Sequence, residues 1–157
     1  MIMVFAGIAI GVFLIDIVLK HSIEERFLPN EERPVLGGEI LIRRVHNKGA
    51  CLNMFQAHPD KVLYSSLFLG VMTLIYDAVL LWKKGHFFRK TGMMLFTGGA
   101  FSNIYDRIMR GYVVDYIGFK TRWNKLTRIT YNIGDFFIFA GAFLTCLSEI
   151  KAAKKKH

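Results

Sequence analysis

The chain has 157 residues, 53% of them apolar before its 14 glycines are counted, whereas soluble domains reach roughly 45–50% with glycine included. That excludes disorder, and two cysteines in such a length exclude a disulfide scaffold. Lysines and arginines number 21 against 12 acids, a net charge of +9; in a soluble chain this would point to nucleic acid, but in a membrane protein it follows from topology and anionic lipid, so no nucleic acid is expected as a partner.

A helix needs about 20 mainly apolar residues to cross the hydrocarbon, and four such stretches fit. The first runs over about 1–19 and begins MIMVFAGIAIGVFLI. Nothing basic precedes it and no small-x-small site follows, so it reads as a retained span rather than a cleaved signal. His21 to Asp60 form the long first connection, where GEILIRRVHNKGACLNMF alternates apolar and basic residues at Ile40, Ile42 and Val45 before reaching glycine, as a short hairpin or curved sheet does. The second span, over 62–82, carries one acid, Asp77, close enough to the Trp82-Lys83-Lys84 edge to reach the interface or pair with a lysine. The third, over about 91–110, is glycine-rich and runs into Asp106 and Arg107; the fourth, over about 132–150, reads NIGDFFIFAGAFLTCLSEI. The expectation is an all-α membrane protein: four transmembrane helices in one integral membrane domain, with a small extracytoplasmic β element between helices 1 and 2. WKKGHFFRK and the tail KAAKKKH hold eight Lys/Arg, a density that places both termini inside, although the outer connections hold the larger raw number.

Ionisable residues within or beside spans are costly and are functional candidates. Asp16 and Lys20 stand four apart, the spacing of a helical ion pair. Asn103, Asp106, Arg107 and Arg110 share one helical face; for Asp106 a helix-end salt bridge competes with a role in a site. Asp115 follows in GYVVDYIGF and stays at the outer surface if the third helix continues. Asn132 and Asp135 read as a helix start, an amide N-cap followed by an acid at the third helical position. With helices 3 and 4 antiparallel, Asp115 and Asp135 come to the same depth and could meet. Two close carboxylates share a proton and so supply a base and an acid together, the chemistry of an aspartic protease, with no metal or other cofactor required.

These residues resemble a family. DIVLK at Asp16, NKGA at Asn47, GGAFSNIYDR at Gly98, GYVVDY at Gly111 and YNIGD at Tyr131 are similar, in order, to the five motifs of bacterial lipoprotein signal peptidase (signal peptidase II). The resemblance implies an aspartyl endopeptidase of the bacterial inner membrane that removes the signal peptide from diacylglyceryl-modified prolipoproteins just before the lipidated cysteine. It implies a monomer among membrane lipids, with both termini cytoplasmic and the active site at the extracytoplasmic face. By position it implies Asp115 and Asp135 as the catalytic pair, Asn47, Asn103, Arg107 and Asn132 as substrate-binding, and Asp16, Lys20 and Asp106 as supporting. The sequence departs from the family pattern at Ile17, at Cys51-Leu52-Asn53, at Tyr131 and at Gly134.

Other readings compete, among them a catalytically silent assembly protein of the same fold. Cys51, five residues after His46, lacks an orienting group for nucleophilic catalysis, and a Cys51–Cys146 disulfide is not expected because Cys146 falls deep in the fourth span. A small proton-coupled transporter or channel subunit would place acids near the midplane of several helices, whereas here they gather at one rim.

Overall fold

The computed structural model describes residues 2–29, 31–50 and 54–154. Readings that fell on Cys51, and on the 51–53 departure, lie outside the described residues. Four long helices dominate: α1 (Ile2–Arg26), α2 (Pro59–Trp82), α3 (Phe87–Arg110) and α5 (Ile133–Lys154). Between them lie strands β1 (Glu32–Val35), β2 (Ile40–Asn47), β3 (Val113–Phe119) and β4 (Thr130–Tyr131), and a single-turn helix α4 (Asn124–Thr127).

Helices α1, α2 and α5 are long and apolar enough to cross a membrane. They are apolar on nearly all sides, and α1 leaves Ile10, Leu14 and Val18 exposed, as a helix surrounded by lipid does. The expected third span is α3, which has a different character. It is amphipathic, packs against all three other long helices, and buries Lys90, Thr97, Ser102, Asn103 and Asp106 together with its glycines.

Glycine lets the backbones approach. A Cβ on Gly99 would collide with the Gly134 carbonyl oxygen of α5, and one on Gly98 would sit 2.5 Å from the Ala9 carbonyl oxygen of α1. These small-residue contacts drive helix association where lipid removes the hydrophobic incentive. At one end of the bundle Lys90 donates to the Leu81 and Lys83 carbonyls (3.3 and 2.6 Å), satisfying the C-terminus of α2, while Arg89 pairs with Glu149 across α3 and α5.

The sheet caps the opposite end, where α1 and α3 finish and α2 and α5 begin. It is antiparallel in the order β1-β2-β3-β4. The β2 reading holds, but the sheet is not confined to the connection between the first two helices: β3 and β4 come from the connection between α3 and α5. Asp115 is accordingly not on an extension of the third helix. That helix stops at Arg110 because Gly111 adopts φ 77°, the left-handed C-cap, and the chain turns into β3, where Asp115 pairs with Val45 beside a register shift in β2.

Asp77 also differs from expectation. It pairs with no lysine; it is 4% exposed and accepts a 2.6 Å hydrogen bond from the Thr97 hydroxyl. Cys146 is unpaired and exposed on α5.

Candidate active site

Beneath the sheet lies a buried ionic layer built by α1 and α3. The i,i+4 spacing of Asp16 and Lys20 gives a 2.7 Å ion pair with both side chains fully buried. A buried charge persists only when its remaining donors are satisfied, and Lys20 Nζ also reaches Asn103 Oδ1 (2.7 Å), Ser102 Oγ (3.1 Å) and Asp106 Oδ2 (3.5 Å). Ser102 donates to Asp16 Oδ2 at 2.5 Å, and the Tyr116 hydroxyl donates to Asp16 Oδ1 at 3.4 Å. Burial and the Asp16 charge push the Tyr116 phenol up, so it stays a donor. Asp106 accepts the Val114 N–H at 3.0 Å and pairs with Arg110 at 3.2 Å; it ties the end of α3 to the start of β3. Ser102 and Tyr116 sit inside the GGAFSN and VVDYIG stretches, but no periodicity singles them out.

The layer orients two amides. Because Asn103 Oδ1 accepts from Lys20, its Nδ2 faces the other way and donates to Asp135 Oδ1 at 2.9 Å. Asn132 caps α5 as read from sequence: its Oδ1 accepts the Asp135 N–H (2.9 Å), and Asp135 Oδ2 accepts the Asn132 N–H (3.1 Å), a reciprocal box. With Oδ1 so used, Asn132 Nδ2 points away from the helix and donates to Asp115 Oδ1 (2.8 Å) and Asn103 Oδ1 (3.1 Å). Asn47 on β2 donates to the other oxygen, Asp115 Oδ2, at 2.9 Å, and its own carbonyl holds Gly49 N–H.

Thus Asp115, from a strand, and Asp135, from a helix start, share the bridging residue Asn132, and each carboxylate is held by amides rather than by a cation. Asp115 is 3% exposed. Burial first, and the Asp135 charge second, push its carboxyl up to about 7 from an ordinary 3.8. A cavity of about 350 Å³ opens on both carboxylates; Asn47, Asn103 and Arg107 line it, and its walls from α2, α3 and α5 are mostly apolar, with Leu69, Phe96 and Phe139 among them. Arg107 touches neither carboxylate. It donates to the Gly49 carbonyl (3.0 Å) and to the Asn103 carbonyl (3.1 Å), fixing the loop after β2 against α3. Among the described residues no group of three or more His, Cys, Asp or Glu side chains is arranged to hold a metal ion.

Apolar helices around a polar floor, closed by a small sheet over a carboxylate-lined cavity, define a multi-pass membrane protein with a chemically equipped cleft. A family model described as "Signal peptidase (SPase) II" matches residues 8–151. The chain belongs to the signal peptidase II family, and is therefore a protease. It is 32% identical to a lipoprotein signal peptidase of Mesorhizobium japonicum over 147 residues, covering 93% of this chain and 84% of the relative. It is 30% identical to one of Caldicellulosiruptor bescii over 149 residues, covering 95% and 92%. Its fold matches a bacterial membrane enzyme solved in meso at 2.3 Å resolution, with a TM-score of 0.85 at 22% identity over 100% of this chain and 93% of that one. Membership of this family does not favour the transporter reading.

Proposed function

We propose that the chain is an intramembrane aspartyl endopeptidase that cleaves the signal peptide from diacylglyceryl-modified prolipoproteins, just before the lipidated cysteine. In this reading α3 crosses the bilayer with the other three long helices as one integral membrane domain, a monomer among lipids in the bacterial inner membrane. Both ends of the chain lie on the cytoplasmic side, and the sheet with its cavity faces outward. The observation that carries it is the Asn132 bridge, which serves Asp115 and Asp135 at once while both open on one cavity.

The chemistry follows from one proton shared by two acids. Asp115, buried and pushed up to about 7, keeps the proton; Asp135, in the first turn of α5 and accepting an amide and a backbone N–H, carries the charge. Asp135 takes a proton from water as the water oxygen bonds to the scissile carbonyl carbon. Asp115 gives its proton to the carbonyl oxygen. In the collapse of the tetrahedral species the C–N bond breaks, Asp135 delivers its proton to the leaving amine, and the hydroxyl proton returns to Asp115. Asn47, Asn103, Arg107 and Asn132 serve an extended peptide whose backbone groups are otherwise unpaired near lipid, while its acyl chains remain in the bilayer. No cofactor is invoked.

The test uses the full-length protein in vesicles with a diacylglyceryl-modified prolipoprotein. Asp115→Asn and Asp135→Asn, made separately, each lower cleavage by about 10³-fold or more, with thermal unfolding retained. A variant of either kind that cleaves at the wild-type rate overturns the reading.

A further inference from the structure

Asp115 is bordered by space on two sides. A second cavity, of about 260 Å³, lies on the sheet side of the same carboxylate, and Asn47, Asp115 and Thr130 line both cavities. The two differ in chemistry. Where the first is walled by apolar side chains of the long helices, the second is bounded by Val45, Ile129, Thr130 and two cations, Lys125 on α4 and Arg128 just after it. Both cations are exposed, and neither joins an ion pair among the described residues.

The segment that carries them is anchored. Arg43 on β2 donates to the Thr127 carbonyl (2.5 Å) and the Ile129 carbonyl (3.1 Å), and Thr127 Oγ1 accepts the Thr121 N–H at 3.0 Å. Arg43 has its own acid, Glu32, at 3.2 Å. The cations that line this cavity without an acid partner are therefore Lys125 and Arg128, at the wall of a space that Asp115 also lines.

Taken with the proposed activity, on which it rests, this arrangement has a direction. A peptide cut at the Asp115–Asp135 pair must lie across it in extended form. Its signal segment is apolar and belongs in the apolar cavity facing the bilayer; the chain beyond the cut leads into water and must leave over the sheet. The space that continues past Asp115 in that direction is the second cavity. We infer that the second cavity receives the substrate residues just beyond the lipidated cysteine, and that Lys125 and Arg128 make it selective for acidic over basic side chains there. Like charges brought together at a binding surface discriminate even where opposite charges add little affinity.

The experiment compares three diacylglyceryl-modified precursor peptides identical except at the two residues after the cysteine, which are Asp-Asp, Ser-Ser or Lys-Lys, cleaved by the full-length enzyme in neutral detergent. The kcat/KM for Asp-Asp exceeds that for Lys-Lys by about fivefold to tenfold, as two partly exposed charge contacts provide. The ratio inverts in the double variant Lys125→Glu with Arg128→Glu. Should that variant fail to fold, the wild-type enzyme still decides, because the ratio must shrink toward one as salt rises from 0.05 to about 1 M and the Debye length falls to about 3 Å. Equal kcat/KM for all three peptides at low salt overturns this inference while leaving the protease reading intact. Cleavage of none of them overturns both. Equal cleavage combined with a stimulation by anionic lipid vesicles that the double variant loses overturns it too, and assigns the cations to a lipid headgroup instead.

Discussion

Two groups of acids share one end of the bundle and differ in what holds them. Asp16 and Asp106 face the Lys20 ammonium, at 2.7 and 3.5 Å, in a layer fully shut from solvent. Asp115 and Asp135 face only amides and a backbone N–H, and open on a cavity. The first pair is matched by a cation and closed to solvent, as a structural ion cluster is. The second pair has only neutral donors and opens on the cavity, which are the surroundings that the proposed proton transfer requires. Asn103 joins the groups: its oxygen is taken by Lys20, so its nitrogen must serve Asp135. Lys20 thereby sets which way the Asn103 amide faces.

The largest effect that separates the two groups is on stability. Lys20→Met leaves Asp16 and Asp106 buried without their cation and costs about 3–5 kcal/mol, read as a steep fall in thermal unfolding temperature in detergent. Asp115→Asn costs under about 1 kcal/mol by the same measurement. The sign follows from its raised value. Asp115 contributes stability that is complete below 3.8 and lost as pH rises through about 7, so above pH 7 its charge adds nothing for the variant to lose. Comparable losses in both variants would erase the distinction between structural and reactive acids.

Much of the ionic layer was legible because its contacts are local. Asp16 with Lys20, and Asn132 with Asp135, lie three or four residues apart and declare themselves by helical spacing or capping chemistry. The five motifs carried the family as well. What stayed hidden depends on partners far along the chain. Val113 to Phe119 reads as a continuation of α3 until β2, some 70 residues earlier, is known to pair with it; Gly111 at the helix end was the available signal. Asp77 near a lysine edge looks interfacial, since nothing in its own helix reveals that Thr97 of α3 waits opposite. Lys125 and Arg128 look like solvated charges until α4 and Arg43 put them on the wall of a cavity that Asp115 also lines.

A smaller effect tests whether the two groups are held in register by backbone contact between helices. Gly99→Ala drives a methyl into the Gly134 carbonyl oxygen, one residue before Asp135, and costs about 1–3 kcal/mol. By displacing α5 it also separates Asp135 from Asn103, so kcat falls by more than about tenfold. Gly7→Ala, which meets nothing within 4 Å, leaves both quantities unchanged. Smaller again in stability is Asn132→Ala, which removes the cap of α5 for about 1 kcal/mol. Because the same side chain holds Asp115, cleavage falls by about 10²-fold, far more than the loss of a cap alone explains. Parallel measurement of unfolding and kcat separates the two roles.

The smallest effect is a displacement along the pH axis, and it addresses Asp115 alone. If Asp115 holds the shared proton, kcat/KM declines as pH rises past about 7, because both carboxylates are then ionised and no acid remains for the carbonyl oxygen. The Asn47 amide donates to Asp115 Oδ2 and favours its charged form. Asn47→Ala removes that donor, Asp115 keeps its proton to higher pH, and the descending limb moves upward by less than about one pH unit while the maximal rate falls. A pH profile of kcat/KM for wild type and variant in the same detergent measures the shift. A limb that moves downward, or stays fixed while the rate falls, would place the proton on Asp135 and reverse the roles of the two acids.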